Sequence, residues 1–261
     1  MNQVKKPFAA VAAAWGLLVD RPLPTPDGAS GVRPSPMGVL VAFPLVGVLL
    51  GLFPLVVSGV IALFFNRLAG ALFFAFAAAA LLWGKDSGRG MALLISYVAA
   101  RLEGSGPPEA LEKADGSLEL VLQRPVVMFF SLVAAMASVG MLFVLYYRGA
   151  GVWFIAVTTA DAFVQGRLCL ENDRKTGKPF IRVPGEKGRI HLALAGSLIA
   201  LLLLLAFPKI AAFVAVAVVW LWFWRELPGG GCFRQGVSAD GISLSGFWAA
   251  QLMLICGMGL L

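Results

Sequence analysis

The chain has 261 residues, of which 59% are hydrophobic and 13% charged, with a formal net charge of +7 and a mean hydropathy of +0.86. An ordinary soluble domain carries about twice that share of charge, so the composition excludes a soluble globular protein and marks an integral membrane protein. The basic excess does not indicate nucleic acid, because it falls on one membrane face, where anionic lipid and insertion topology account for it.

The N-terminus pairs Lys5 and Lys6 with an apolar stretch, Phe8–Val19, that ends in Asp20-Arg21-Pro22 rather than in a small-residue cleavage site. That reads as an uncleaved amphipathic approach helix within a cytoplasmic segment, residues 1–37. A single polytopic membrane domain follows over residues 38–261, because charge-free blocks of about 16 to 25 residues can each cross a bilayer at 1.5 Å per residue. In chain order they are Gly38–Asn66, Leu68–Gly84, Pro125–Tyr147, Gly149–Gly166, Ile190–Pro208, Ile210–Trp224 and Gly241–Leu261. Met91–Ala100 is too short to cross and is read as interfacial or re-entrant.

Charge placement sets the orientation. The approach segment and the loops 85–124, 167–189 and 225–240 hold 18 of the 21 Lys and Arg residues; the alternate loops hold only Arg67, Arg148 and Lys209. Basic residues near span ends are retained on the cytoplasmic side. The expectation is therefore an all-α integral membrane protein, a polytopic bundle of about seven transmembrane helices in the cell inner (plasma) membrane, with the N-terminus cytoplasmic and the C-terminus outside.

Polar chemistry concentrates on the cytoplasmic side, where 13 of the 14 acidic residues lie. Asp161 is the exception, about 9 Å of helix before Arg167 inside the fourth span. A carboxylate at that depth is costly unless paired or hydrated, so it is either a functional residue or one that snorkels or pairs with Arg167. The single histidine, His191, opens the fifth span and reads as a hydrogen-bonded structural residue. No phosphate-binding loop motif is present. Cys169, Cys232 and Cys256 form no C-x-x-C pair and are expected to be free thiols. What remains is a set of Gly–Asp neighbourhoods at Asp86, Asp115 and Asp240. Glycine lets backbone N–H groups approach a ligand and Asp supplies hard oxygen for Mg²⁺, although Asp-Gly is also a common turn dipeptide.

Read in order, the blocks resemble the cobalamin synthase family, the membrane-bound adenosylcobinamide-GDP ribazoletransferases. The likeness is carried by "AAWGLLVDRPLPTP" followed by "SPMGVLVAFPLVGVLLGL", and more loosely by "ALEKADGSLELVL", "ADAFVQGRLCL" and "RELPGGGCFRQGVSADGISLSGFWAAQL". Where that family has a run of His, Asp and Gly residues, the chain has "WGKDSGRG", with Asp86 as its one carboxylate, and Gln251 stands in the last helix where the family has an acidic residue.

The resemblance implies a transferase that joins α-ribazole or its 5′-phosphate to adenosylcobinamide-GDP and releases GMP, the last step of cobalamin nucleotide-loop assembly. It implies Mg²⁺ held by Asp86, Asp115 and Asp240, with catalytic roles for Asp86 and Asp240; Asp161 joins the catalytic candidates on its depth in the membrane. Substrate would be bound by Arg89, Arg167, Arg234 and Ser87. Three alternatives stay open: a non-enzymatic or degenerate partner of corrinoid assembly, a transporter, and another nucleotide-diphosphate alcohol transferase. Self-association and corrinoid-assembly partners are compatible with each; nucleic acid is not expected.

Overall fold

The computed structural model describes residues 2–19, 35–117, 125–182, 196–199, 201–202, 205, 210–227 and 231–261. In chain order the helices are α1 (Asn2–Leu18), α2 (Pro36–Phe64), α3 (Arg67–Gly84), α4 (Arg89–Leu102), α5 (Pro107–Lys113), α6 (Pro125–Tyr147), α7 (Trp153–Leu168), α8 (Ile210–Glu226) and α9 (Ala239–Leu260). Residues 196–199 are also helical. Only isolated bridges, Asn172 with Pro179 and Asp173 with Val237, are extended pairings among the described residues.

Four helices are long and apolar enough to cross a membrane: α2, α3, α6 and α9. The predicted fourth span is α7, 16 residues long, and the predicted sixth is α8, 17 residues long, each short of a full crossing by itself. The predicted fifth span lies mostly outside the described residues, as does His191.

Local sequence explains where the spans start. The Ser35 side chain accepts from the Gly38 N–H at 3.1 Å, with Pro36 in the first turn of α2, where its missing N–H costs nothing. Asn66 and Ser238 cap α3 and α9 in the same way, accepting from Ala69 N–H at 2.8 Å and Gly241 N–H at 3.0 Å. Pro44 and Pro54 lie inside α2, yet the helix runs on. Transmembrane helices tolerate internal proline because neighbouring groups satisfy the freed backbone. Near them Thr158 Oγ1 donates to Gly47 O at 2.7 Å, tying α2 to α7, and Ser58 bonds back to Pro54 O within α2.

The short helix α7 is the centre of the bundle, with residues 153–166 all buried. Small residues let its neighbours close on it. On α2, Gly47 and Gly51 face α7 so closely that a Cβ at Gly47 would lie 2.7 Å from Thr158 O, and one at Gly51 2.6 Å from Thr158 Oγ1. On α9, Gly246 meets Asp161 and Gln165, and Gly257 meets the Trp153 ring, whose Nε1–H donates to Met253 O at 2.8 Å. Without a hydrophobic driving force inside lipid, such close packing and interhelical hydrogen bonding hold helices together. By contrast α6 turns Phe129, Phe130, Leu132, Val133 and Met136 outward, as a lipid-facing helix does.

At one end of the bundle the buried core joins Ala10, Ala14 and Leu18 of α1, Leu93 and Tyr97 of α4, Leu111 of α5, and Leu227, Cys232 and Val237 from the chain around the end of α8. The described parts of the segments that carry the basic excess therefore gather at that end. Arg101 pairs with Glu226 at 3.1 Å, tying the end of α4 to the end of α8.

Candidate functional site

The stretch "WGKDSGRG" is the tight turn between α3 and α4. Ser87 (φ 57°) and Gly88 (φ 82°) are in the left-handed region, which reverses the chain before α4 begins. Asp86 Oδ2 accepts from Gly90 N–H at 2.8 Å and from the Ser243 hydroxyl on α9 at 2.7 Å. A carboxylate there satisfies a free N–H of the first turn of α4 and complements the helix dipole, so Asp86 has a structural role of its own. Its other oxygen, Oδ1, is buried and has no hydrogen-bond partner among the described residues. Ser87 is exposed at the tip of the turn.

Lys85 ends α3, its N–H donating to Leu81 O at 3.2 Å. Its ammonium forms an ion pair with Asp161 Oδ2, and the two side chains are only 2% and 4% exposed. Gln165 Nε2 donates to Asp161 Oδ1 at 2.8 Å, so both carboxylate oxygens are engaged. This corrects one of the sequence alternatives for Asp161: its cation is Lys85 rather than Arg167, which lies 3.8 Å from Glu171 one turn on. Lys85 is a residue the sequence reading missed. The available signal was its place as the charged group closing the apolar block of α3.

Asp240, in the first turn of α9, holds Arg89 from the first turn of α4, with Arg89 Nε donating to Asp240 Oδ1 at 2.8 Å. Both side chains are about half exposed, 48% and 44%. Gly116 packs beside them, where a Cβ would lie 3.1 Å from Arg89 Cγ and 3.5 Å from Asp240 Oδ1. The neighbouring Asp115 donates its backbone N–H to Ser96 Oγ at 3.1 Å and accepts from Ser117 N–H at 2.8 Å. Asp240 is thus an ion-pair partner, and Asp115 closes its own turn.

Arg167 and Arg234 come together in a recess of about 260 Å³, lined also by Leu168, Glu171, Trp224 and Phe233. The last turn of α7 places Arg167 and the last turn of α8 places Trp224. The turn at residues 231–235 brings Phe233 and Arg234, and it is held from the side by the hairpin after α7. There Val237 N–H donates to Asn172 O at 2.7 Å, Arg174 Nε donates to Gly236 O at 2.9 Å, and the Arg174 guanidinium also donates to Cys232 O. Asp173 pins the hairpin turn by accepting from the N–H groups of Lys175 and Thr176 at 2.7 and 2.8 Å. Those hydrogen bonds hold its carboxyl below the usual value.

Two guanidinium groups beside two aromatic rings suit a phosphate ester that carries a flat ring system, since guanidinium pairs with phosphate oxygens in fixed fork geometry and aromatic faces stack on heterocycles. Sequence reasoning found the two arginines but not Trp224 or Phe233.

The expected magnesium ligands give a different picture. Among the described residues no group of three or more His, Cys, Asp or Glu residues is arranged to hold a metal ion. Asp86 caps α4, Asp240 holds Arg89, and Asp115 closes a turn, so this donor set does not fit a shared divalent ion, which takes several oxygen ligands at once. In α9, Gln251 Oε1 accepts from Ser138 at 3.2 Å, while its Nε2 is buried without a partner among the described residues. The three cysteines are free and buried.

Compared with known proteins, the chain matches no family model, no curated protein and no solved structure.

Proposed function

We propose that the chain is a multi-pass protein of the cell inner membrane whose cytoplasmic end binds a phosphate ester of corrinoid nucleotide-loop assembly, as a partner of that assembly rather than as its metal-dependent transferase. The observation that carries this reading is the recess in which Arg167 and Arg234 meet Trp224 and Phe233. Adenosylcobinamide-GDP and α-ribazole 5′-phosphate both bring phosphate and a flat ring, the two features those side chains recognise. The amphipathic corrinoid suits a site at the end of a membrane bundle. The finer topology of seven crossings, N-terminus inside and C-terminus outside, rests on the placement of 18 of the 21 basic residues.

A second reading is the Mg²⁺-dependent ribazoletransferase itself. One observation favours it: Oδ1 of Asp86 is a buried carboxylate oxygen with no hydrogen-bond partner among the described residues. In that reaction a hydroxyl of α-ribazole attacks the diphosphate of adenosylcobinamide-GDP and GMP leaves.

One experiment separates the two. Protein purified into lipid nanodiscs is titrated with adenosylcobinamide-GDP and with α-ribazole 5′-phosphate, following tryptophan fluorescence, and GMP release is measured with and without Mg²⁺. Saturable binding without GMP supports the binding reading. Mg²⁺-dependent GMP release selects the transferase, and the absence of binding to either compound removes both.

A further inference from the structure

The recess at the ends of α7 and α8 has a charge balance that narrows what it can hold. Of its two guanidinium groups, Arg167 lies 3.8 Å from the Glu171 carboxylate one turn on, and both side chains line the recess while partly exposed. Among the described residues no carboxylate pairs with Arg234. Its side chain lies over Gly231, where a Cβ would be 3.3 Å from Arg234 Nε. Two cations and one anion leave the lining with a single surplus positive charge.

The helix termini do not add to that charge. Arg167 and Leu168 belong to the last turn of α7 and Trp224 to the last turn of α8, and no lining residue sits in the first turn of a helix. The recess is therefore bordered by helix C-termini, the negative ends of their dipoles.

Phosphate esters differ in the charge they bring. A monoester carries about −1.5 to −2 near neutral pH, whereas a phosphate linked on both sides keeps one ionised oxygen and one negative charge. A monoester here would set a near-dianion beside the Glu171 carboxylate, with one surplus cation to offset it, and like charges at close range repel. A phosphate linked on both sides matches the surplus.

We infer that the recess takes phosphodiesters in preference to phosphate monoesters, and that Glu171 is the specificity-determining residue that sets this choice by its charge. The inference rests on the reading of the recess as a phosphate-ester site and refines it. In adenosylcobinamide-GDP each phosphate is linked on both sides, whereas α-ribazole 5′-phosphate ends in a monoester, so the first is the better ligand of the two. Phospholipid headgroups share the phosphodiester chemistry and are a second source of it.

The test uses a matched pair of probes, α-ribazole 5′-phosphate and its methyl diester, which differ by one methyl group and about one charge. Binding to the full chain is followed by tryptophan fluorescence at neutral pH in a maltoside detergent, which carries no phosphate. The parent is expected to bind the diester about fivefold more tightly. Glu171→Gln removes the charge at constant size. It should strengthen monoester binding about fivefold and diester binding by no more than about twofold, so that the preference falls away. Glu171→Asp keeps the charge and should keep the preference. Added short-chain phosphatidylglycerol distinguishes the sources: competition with the methyl diester makes lipid headgroups occupants as well, its absence leaves the soluble ester, and either result agrees with a phosphodiester site.

Equal affinity of the parent for the two probes, a monoester preference, or a diester preference that survives in Glu171→Gln overturns the inference while the phosphate-ester reading stands. Binding of neither probe, nor of adenosylcobinamide-GDP, removes the reading beneath it as well.

Discussion

Arg167, in the last turn of α7, and Arg234, in the turn that precedes α9, line one recess although the whole of α8 separates them in sequence. Each is expected to contribute a charge-assisted hydrogen bond to a bound phosphate, worth roughly 1.5–3 kcal/mol. Arg167→Ala or Arg234→Ala should therefore weaken binding of adenosylcobinamide-GDP by about tenfold or more, with the melting temperature nearly unchanged because both side chains are at the rim. Equal affinity in parent and variants would place the ligand elsewhere.

Asp161 is buried and faces the bundle interior. Asp161→Leu leaves the Lys85 ammonium uncompensated in the core and should cost roughly 3–5 kcal/mol, the range for breaking a buried ion pair by removing one partner. Restoring neutrality with Lys85→Met in the same chain should recover much of that loss. A single Asp161→Leu variant that unfolds at the parent denaturant concentration would show that the pair carries no stability.

For Asp86, the role seen in the structure and the role of a catalytic carboxylate predict different results. Asp86→Asn keeps one oxygen to accept from Gly90 and Ser243 but loses the charge at the start of α4. The expected cost is a modest 0.3–1 kcal/mol or so, with ligand binding at the recess retained. If the carboxylate takes a proton in a transfer reaction, the same variant should lose GMP release altogether. Measuring stability and GMP release on one preparation tells them apart.

Gly51 is the tightest approach of α2 to α7. Gly51→Ala pushes a methyl against Thr158 Oγ1 and the backbone of Ile155, so it should cost about 1–3 kcal/mol through overpacking. Gly59→Ala, on the same helix with open space at its Cβ, is the control and should be neutral or stabilising. Equal stability of the two variants would mean that the helices do not meet as described.

The thiols are predicted to be unreactive in the folded protein. Burial pushes Cys169 up to about 12, and burial likewise raises Cys232, so neither forms thiolate near neutral pH. Maleimide labelling at neutral pH should be slow for native protein and complete for three thiols after SDS denaturation. Rapid labelling of Cys169 in the native state would mean that the end of α7 is open to solvent.

The sequence by itself determined the helices, because hydrophobic length and capping are local properties. The block Pro125–Tyr147 is α6 as observed, Leu68–Gly84 is α3 with one further residue, and the short piece Met91–Ala100 is the core of the amphipathic α4. It also marked Asp161 as a carboxylate inside a span that is costly unless paired or hydrated, since that cost follows from residue type.

Only the tertiary structure decided which groups meet. That Lys85 rather than Arg167 answers Asp161, that Asp86, Asp115 and Asp240 are each engaged separately instead of sharing an ion, and that Trp224 and Phe233 complete the recess of the two arginines are all contacts between helices far apart in the chain. They depend on the rotation of each helix about its axis, which packing against α7 sets and which no local pattern encodes.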